Sequence, residues 1–328
     1  MKVRSPRERI LVVRLGAMGD IVHALPAVAT LKLSFPNHEL TWVVKSKWTD
    51  LLEGNPSVDR VLALGDQEST LVSWRRLRLL RPDTAFDFQG LLQSALIGRL
   101  ARPKVFWGFG RSVARERFAS WFYTHAVPVT GPHRIQRNLQ LVRAAGATRT
   151  TEQVWLPEGR AEGDLPPSPF VLASPFAGWA GKQWPLESYA QLADLLARQG
   201  IPLVMNVSGD LASSLRGLPN VHVHVSSIAG LIYATRRAAA VVGVDSGPLH
   251  IAAGLGKLGV AIFGPTDPAA TGPYGGSMQV LRTPEAHTTY DRHKEIQASM
   301  LSIKASDVAS AVLQAVDMHR SLAVRGQS

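Results

Sequence analysis

The chain has 328 residues, which is long enough for two domains of ordinary size, each with its own hydrophobic core. Its residues are 45% hydrophobic and 19% charged with no cysteine, which excludes a disordered chain, disulfides, thiolate catalysis and cysteine-ligated metals. The net charge of +11 lies almost entirely in residues 1–158, which hold 23 Lys and Arg against 13 Asp and Glu, whereas residues 159–328 hold 13 against 12. A basic excess confined to one half predicts a polyanionic partner there, and nucleic acid, anionic lipid and a phosphorylated glycolipid all fit.

The N-terminus is charged and enters the first predicted strand by Ile10, which leaves no room for the apolar segment of a signal peptide. No apolar run approaches the roughly 18 residues that span a bilayer. We therefore expect a cytoplasmic protein.

The first half alternates strands with helices. A strand at residues 10–14 leads into a loop with Gly16 and Gly19, then Asp20 and a helix whose pattern contains Pro26, where we expect a kink or a restart. Further elements are predicted along the chain: strands at 40–44 and 58–64, an amphipathic basic segment at 71–82, a strand end with a turn and a helix start at 87–95, and a segment rich in arginine and aromatic residues at 105–137.

The second half repeats this alternation. Residues 157–169 are rich in proline, glycine and charge, a composition typical of an interdomain linker. We assign residues 1–158 to an N-terminal domain, 159–169 to the linker and 170–328 to a C-terminal domain, whose closing helix at 306–318 could pack back on the first domain. The pattern predicts an α/β fold of two doubly wound, Rossmann-like domains that face a central cleft.

The stretch 241–276 has the design of a phosphate site. A short apolar run at 241–244 predicts a buried strand, followed by Asp245-Ser246-Gly247 and by Pro248 at a helix start. A second apolar run leads into Gly264-Pro265-Thr266-Asp267-Pro268. A turn and a helix N-terminus expose backbone N–H groups that hold phosphate, although ordinary turns of an α/β domain would leave the same pattern.

Other kinds of chemistry find little support in the sequence. It has neither the glycine pattern of a dinucleotide site nor that of a P-loop, and its ten histidines show no metal-ligand spacing. Lys182 follows Gly181 in a glycine-containing loop, where it could reach a diphosphate or remain solvated. Asp20 could equally be a helix cap. His23 and His250 are interpreted as packing residues, because neither has an evident acid partner in the sequence.

Five motifs in the same order along nearly the whole chain carry a family resemblance. They are RLGAMGDIVHALP at 14–26, DFQGLLQSA at 87–95, GKQWP at 181–185, VGVDSGPLH at 242–250 and FGPTDP at 263–268. Together they resemble the lipopolysaccharide heptosyltransferases, glycosyltransferase family 9, and the GRSVARER at 110–117 is similar to the heptosyltransferase I branch. The resemblance implies a GT-B fold, an ADP-heptose donor on the C-terminal domain, a Kdo-lipid A acceptor on the N-terminal domain, and inversion without a metal or a cofactor.

The resemblance also implies roles for individual residues. Asp20 would be the catalytic base and Lys182 would neutralise the donor phosphates. The donor-binding candidates are Asp245, Ser246, Gly247, His250, Gly178, Asp210, Thr266 and Asp267. The acceptor-binding candidates are Gly16, Gly19, His23, Gln89, Arg75, Arg76, Arg111, Arg115, Arg117, Arg134 and Arg137.

Two departures from the family pattern lie on the donor side. Ala177-Gly178 stands where hydroxyl residues are often found, so backbone N–H groups would replace those hydroxyls. Asp210 is the one acid in 208–214, where a glutamate tends to hold the donor ribose. Both departures concern recognition of the donor nucleotide.

The expected partners are a nucleotide sugar and a phosphorylated Kdo-lipid A acceptor at the anionic inner surface of the inner membrane, with the protein a peripheral monomer there. No nucleic-acid partner is expected. One alternative keeps the GT-B fold but uses a different nucleotide sugar or glycan acceptor. A more distant alternative is a non-enzymatic protein that binds nucleic acid through the arginine- and aromatic-rich segment at 105–137.

Overall fold

The computed structural model describes residues 7–65, 69–167, 169–289, 291 and 294–325. Contacts divide the chain into two compact units, the first ending at Pro157 and the second beginning at Glu158. Each unit is built on its own six-stranded sheet. Within the described ranges, no helix is both long and apolar enough to cross a membrane.

The first unit has a parallel sheet with the strand order β3-β2-β1-β4-β5-β6. Its strands are β1 (Arg9–Val13), β2 (Glu39–Lys45), β3 (Arg60–Leu64), β4 (Thr84–Asp87), β5 (Val105–Phe109) and β6 (His125–Val127). Its helices are α1 (Met18–Ser34), α2 (Thr70–Leu80), α3 (Leu92–Leu100) and α4 (Arg134–Ala144), with 3₁₀ turns at Ser46–Leu51 and Arg117–Phe122.

Both faces of this sheet are covered. Leu11 and Val13 of β1 face a core cluster that includes Leu77 of α2, Ala95 of α3 and Ala119 of the turn at Arg117–Phe122. Because side chains alternate along a strand, the opposite face is left to α1 and α4, which pack against each other. Near-continuous apolar strands of this kind are typical of a parallel sheet between two helical layers.

The second unit repeats the plan, with a parallel sheet in the order β12-β11-β10-β7-β8-β9. Its strands are β7 (Val171–Ser174), β8 (Leu203–Val207), β9 (Val221–Val225), β10 (Ala240–Val244), β11 (Gly259–Ile262) and β12 (Met278–Leu281). Its helices are α5 (Leu186–Ala197), α6 (Ile228–Arg237), α7 (Gly247–Gly254), α8 (Pro268–Thr271), α9 (Ala298–Leu301) and α10 (Ala305–Arg325), with 3₁₀ turns at Ala180–Lys182 and Gly209–Leu215.

Within the segment predicted as a linker, 159–169, Glu162 is hydrogen-bonded to the second unit. The Glu162 carboxylate accepts from the Ser227 backbone N–H at 2.7 Å and from its hydroxyl at 2.8 Å. The Glu162 carbonyl lies 2.6 Å from His224 Nε2. These bonds tie the segment to β9 and to the start of α6, which is why the contacts place it with the second unit from Glu158 onward.

The structure shows how two helices compare with the sequence predictions for them. Helix α1 runs unbroken from Met18 to Ser34 through Pro26, so of the predicted kink or restart the restart is wrong and the kink stays a prediction. The missing proline N–H removes one bond of the helix, and burial of the surrounding apolar face holds the helix together across it. The closing helix α10 packs on α5, β10 and β11 of its own unit.

Each sheet reverses its strand order at one point, between β1 and β4 in the first unit and between β7 and β10 in the second. At such a switch point the loops leave in opposite directions and open a crevice at the carboxyl ends of the strands, where ligands of α/β proteins bind. Asp20 and Gln89 follow β1 and β4, and Lys182 and Asp245 follow β7 and β10. The switch points therefore gather the main candidate residues of each unit.

Candidate functional site

At the first switch point, one carboxylate is held by three guanidinium groups. Asp20, the third residue of α1, is 8% exposed. Its oxygens lie 2.5 Å from Arg14 Nη2 and 3.1 Å from Arg115 Nη2, and Arg134 Nη1 contacts Oδ1. Three guanidinium groups and one carboxylate give the cluster a net charge of +2.

Burial alone would raise the pKa of the Asp20 carboxyl, but Arg14, Arg134 and Arg115 outweigh it and hold that pKa well below its usual range. Burial lowers the pKa of Arg14 to about 10, against the opposing attraction of Asp20. Arg14 is 3% exposed and also donates to the Phe88 carbonyl at 2.6 Å, whereas the Arg115 and Arg134 side chains are 42% and 36% exposed. Two of the three arginines can therefore reach a ligand.

The DFQG motif builds the other side of this switch point. Buried Asp87 accepts hydrogen bonds from Tyr123 Oη at 2.7 Å, from Ser94 Oγ at 2.8 Å and from the Gln89 N–H at 2.7 Å. Burial raises the pKa of Asp87, against these bonds. Gln89 Oε1 accepts from the Leu15 N–H at 2.9 Å, so this predicted acceptor ligand ties the loop after β4 to the loop after β1.

Gly16, Gly19 and His23, which are close to Asp20 in the sequence, occupy packed positions. Gly16 has a φ of 155°, and a side chain there would collide with the indole of Trp48. Gly19 is buried in the first turn of α1. The His23 ring is 4% exposed and meets the ring of His133 edge to face, with centroids 5.2 Å apart.

The remaining acceptor candidates are spread over the first unit. Arg75 and Arg76 are exposed on α2, and Arg111 and Arg117 are exposed in the segment after β5. Arg137 donates from Nε to the Gly131 carbonyl at 2.6 Å. Of the predicted acceptor arginines, the structure brings Arg115 and Arg134 to Asp20.

At the second switch point, Lys182 and Asp245 pair directly. Lys182 Nζ lies 2.9 Å from Asp245 Oδ2, and the two side chains are 15% and 7% exposed. His250 Nε2 lies 3.5 Å from Asp245 Oδ1. This corrects the sequence interpretation of His250, which gave it no acid partner: one turn of α7 brings its ring back over Asp245. Burial alone would raise the pKa of Asp245, but His250 and Lys182 outweigh it and hold the pKa below the usual range.

Two hydroxyls in the loops after the neighbouring strands β10 and β11 have no hydrogen-bond partner among the described residues. They are Ser246 Oγ, at the N-cap of α7, and Thr266 Oγ1, in the loop after β11. Both atoms are buried, and Thr266 as a whole is 4% exposed. A buried hydroxyl without a partner costs free energy, which a ligand that accepts its hydrogen bond recovers.

The other donor candidates lie along the same edge of the sheet. Gly247 is the first residue of α7. Asp267 caps α8, where its Oδ1 accepts from the Ala269 N–H at 2.9 Å. Gly178 is exposed in the loop after β7 with open space around it, and Asp210 is exposed at the start of the 3₁₀ turn after β8. Within the described ranges, no three His, Asp or Glu side chains gather as a metal site would require.

Sequence reasoning missed Arg14, which the structure makes the most buried partner of Asp20. A signal was present: Arg14 follows the apolar run of β1 directly, and a cation at the end of a buried strand requires a counter-ion. Asp20, six residues later, was the nearest acid along the chain after it.

The chain is similar to proteins with known activities. A family described as "Glycosyltransferase family 9 (heptosyltransferase)" matches residues 71–300. Lipopolysaccharide heptosyltransferase 1 of Pseudomonas aeruginosa is 32% identical over 293 residues, which cover 82% of each chain. The protein of the same name from Escherichia coli K12 is 28% identical over 314 residues, covering 84% of this chain and 94% of the relative.

Solved structures agree with the fold. The E. coli heptosyltransferase WaaC with ADP matches 94% of this chain and 99% of its own, at 25% identity and a TM-score of 0.75. E. coli ADP-heptose heptosyltransferase II matches 95% of this chain and 99% of its own with a TM-score of 0.77, and at 19% identity it supports the fold alone. With two parallel six-stranded sheets, this likeness confirms the predicted GT-B fold class. The chain belongs to glycosyltransferase family 9, the heptosyltransferases, and is a glycosyltransferase.

Proposed function

We propose that the protein transfers heptose from ADP-L-glycero-D-manno-heptose to the Kdo-lipid A inner core during lipopolysaccharide biosynthesis. The observation that carries this proposal is the pair of charged clusters at the two switch points, Lys182 with Asp245 in one unit and Asp20 with its arginines in the other. Similarity to the heptosyltransferase 1 of P. aeruginosa supports the choice of sugar and acceptor.

The second unit would hold the donor. Lys182 and the N-terminus of α7 supply positive charge to the leaving diphosphate, and Ser246 and Thr266 offer it two hydroxyls that now lack partners. Asp245 would then accept hydrogen bonds from the transferred sugar. Because these groups neutralise the diphosphate themselves, the proposed reaction uses no metal ion and no cofactor beyond the donor.

The first unit would hold the acceptor and its base. Kdo carboxylates and lipid A phosphates suit the two positive charges that Asp20 leaves unbalanced. Asp20 would accept the proton of the attacking hydroxyl as that hydroxyl approaches the anomeric carbon opposite the diphosphate, which inverts the configuration. A carboxylate with such a low pKa is a weak base, so we infer that anions of the acceptor draw Arg115 and Arg134 away and raise its basicity.

The charge of the chain supports the proposed location. The excess of Lys and Arg lies in residues 1–158, and such an excess favours a surface rich in anionic lipid. We propose that the protein works as a monomer, peripheral to the inner face of the inner membrane, where a lipid A precursor would be available.

The test is transfer by the purified protein from a panel of nucleotide sugars to Kdo-lipid A, followed by mass spectrometry of the product. ADP-heptose is expected to give product and to raise the melting temperature more than other donors. NMR of the new linkage reports inversion, and full activity in EDTA supports the metal-independent reaction. Turnover with another nucleotide sugar and none with ADP-heptose would favour a different GT-B transferase.

A further inference from the structure

Three neighbouring elements of the first unit present large apolar side chains to solvent. Leu79 is 78% exposed, Leu71 73% and Trp121 70%. We call the surface formed by these and the other exposed apolar residues of α2, α3 and the turn at Arg117–Phe122 the α2–α3 face. Its apolar residues are Leu71, Val72, Trp74, Leu79, Leu92, Leu96, Phe118 and Trp121.

The α2–α3 face is one surface because of how its elements pack. Helix α3 contacts both α2 and the turn at Arg117–Phe122. The inner side chains Leu77, Ala95 and Ala119 enter the same core cluster on one side of the sheet. The exposed side chains of the three elements therefore point outward from the same layer.

The charge of this face is predominantly positive, with one acid at its border, Glu116, which accepts from the Leu92 N–H at 2.6 Å. Together α2, α3 and the turn contain five arginines and no acidic residue. The five are Arg75, Arg76, Arg78, Arg99 and Arg117, all of them exposed. On α2, the helical spacing places Leu71, Arg75, Arg78 and Leu79 along a single outer stripe. A solvent-facing helix ordinarily carries polar residues there, so a stripe that mixes leucine with arginine indicates a ligand that is both apolar and anionic.

We propose that the α2–α3 face docks on an anionic lipid bilayer, with its leucines and tryptophans in the interface and its arginines at the headgroups. Apolar and aromatic side chains combined with arginines are the residues that interfacial binding requires. The inference rests on the proposed function, since a lipid-anchored acceptor would bring the protein to such a surface. Arg75 and Arg76, predicted as acceptor ligands, would then meet headgroups.

Two other occupants fit the face less well. A second copy of the chain would set the five arginines against the same five, which repel. A single-stranded nucleic acid would use the arginines and the tryptophans, but Leu71 and Leu79 offer no flat surface on which a base stacks. The bilayer uses all of these residue types.

The first experiment measures binding of the full chain to sedimenting vesicles of phosphatidylcholine, with and without 30% phosphatidylglycerol. Binding is expected only with the anionic lipid and should weaken with salt. Arg75→Gln with Arg78→Gln should lower partitioning by about 25-fold, since each basic residue near the surface contributes about fivefold. Leu79→Gln should lower it by about fourfold for each methylene withdrawn from the interface.

Matched controls lie on the second unit, where Arg198, Arg216 and Leu301 are also exposed. Arg198→Gln with Arg216→Gln removes the same charge, and Leu301→Gln removes the same side chain as Leu79→Gln. Both controls should bind vesicles as the wild type does. Equal losses in the controls and in the variants of the α2–α3 face would overturn the proposal.

The second experiment separates this inference from the proposed function. Leu79→Gln with Trp121→Gln should keep transfer to a deacylated, water-soluble acceptor and lose transfer to the same acceptor held in vesicles. If the wild type binds vesicles, the variants do not, and no donor supports transfer, the docking face is supported and the proposed function is contradicted. If the variants bind vesicles as the wild type does, the docking face is contradicted. The same conclusion follows if the variants keep vesicle binding but lose self-association or oligonucleotide binding.

Discussion

Asp20→Asn tests whether this carboxylate acts as the base or only stabilises the first unit. The change leaves Arg14, which is 3% exposed, without the carboxylate that lies 2.5 Å away. Breaking a buried ion pair by removing one partner costs about 3–5 kcal/mol. At roughly 2–4 °C per kcal/mol for a unit of this size, the calorimetric transition of the first unit should fall by about 6–20 °C. The same variant should lose about 10²–10⁴-fold in transfer if Asp20 is the base.

A second variant separates these two effects. Arg14→Met added to Asp20→Asn removes the buried cation as well, so most of the lost melting temperature should return. Transfer should stay as low as in Asp20→Asn, because the double variant still has no carboxylate at position 20. If the double variant melts as low as the single one, the ion-pair explanation of stability is wrong. If Asp20→Asn turns over within a few-fold of wild type, Asp20 is not the base.

The pH dependence of the same variant checks the sign of the electrostatics. The folded protein holds the pKa of Asp20 below its value of about 3.9 in an unfolded chain. Its contribution to stability is therefore fully present above that value and is lost as the pH falls toward the folded pKa. The gap in melting temperature between wild type and Asp20→Asn should stay constant from about pH 5 to 8 and narrow below about pH 4. A gap that widens on acidification would refute this account.

Three further changes test the other residues. Lys182→Ala should weaken ADP binding, measured by calorimetry, by about 1.5–3 kcal/mol, because it removes a charge-assisted donor and leaves Asp245 to repel the diphosphate. Unchanged affinity would mean that Lys182 has only a structural role. Tyr123→Phe should lower the free energy of unfolding by about 1.5–3 kcal/mol, because it removes the 2.7 Å hydrogen bond to buried Asp87. An unchanged denaturant concentration at the unfolding midpoint would contradict this expectation. Arg115→Gln should raise the acceptor KM and leave ADP affinity unchanged, whereas equal losses for both substrates would mean that it supports the fold.

The sequence predicted which strand ends carry the charged residues, because apolar runs and the turns after them are local signals. The pairing of Lys182 with Asp245 could not be predicted in the same way, since the two residues lie 63 positions apart. They meet because β7 and β10 are hydrogen-bonded neighbours in the sheet. Strand order is set by long-range packing, which a pattern of residues along one segment does not contain.

Buried polar networks were the hardest part to predict. Asp87 belongs to a recognisable motif, but its bond to Tyr123 spans 36 residues and joins a strand end to a 3₁₀ turn. Such a partner is selected by the need to satisfy a buried carboxylate, which appears only once burial is known. Arg14 and His250 differ from Asp87, because their acid partners lie only six and five residues away along the chain. Those two pairs could have been found from the sequence, had burial at the end of β1 and the first turn of α7 been considered.

The depressed pKa of Asp20 bears directly on how a base could work in this cluster. The guanidinium groups that lower its basicity include Arg115 and Arg134, which are partly exposed and carry the charge that an anionic acceptor would bind. Binding of the acceptor and activation of the base would then be a single event, since an anion that engages these arginines would also release the carboxylate. Arg14 cannot take part in that exchange, because it is buried and held by the Phe88 carbonyl. Arg14 would instead keep Asp20 ionised after the other two arginines turn to the acceptor, so that the carboxylate is free to accept the proton of the attacking hydroxyl.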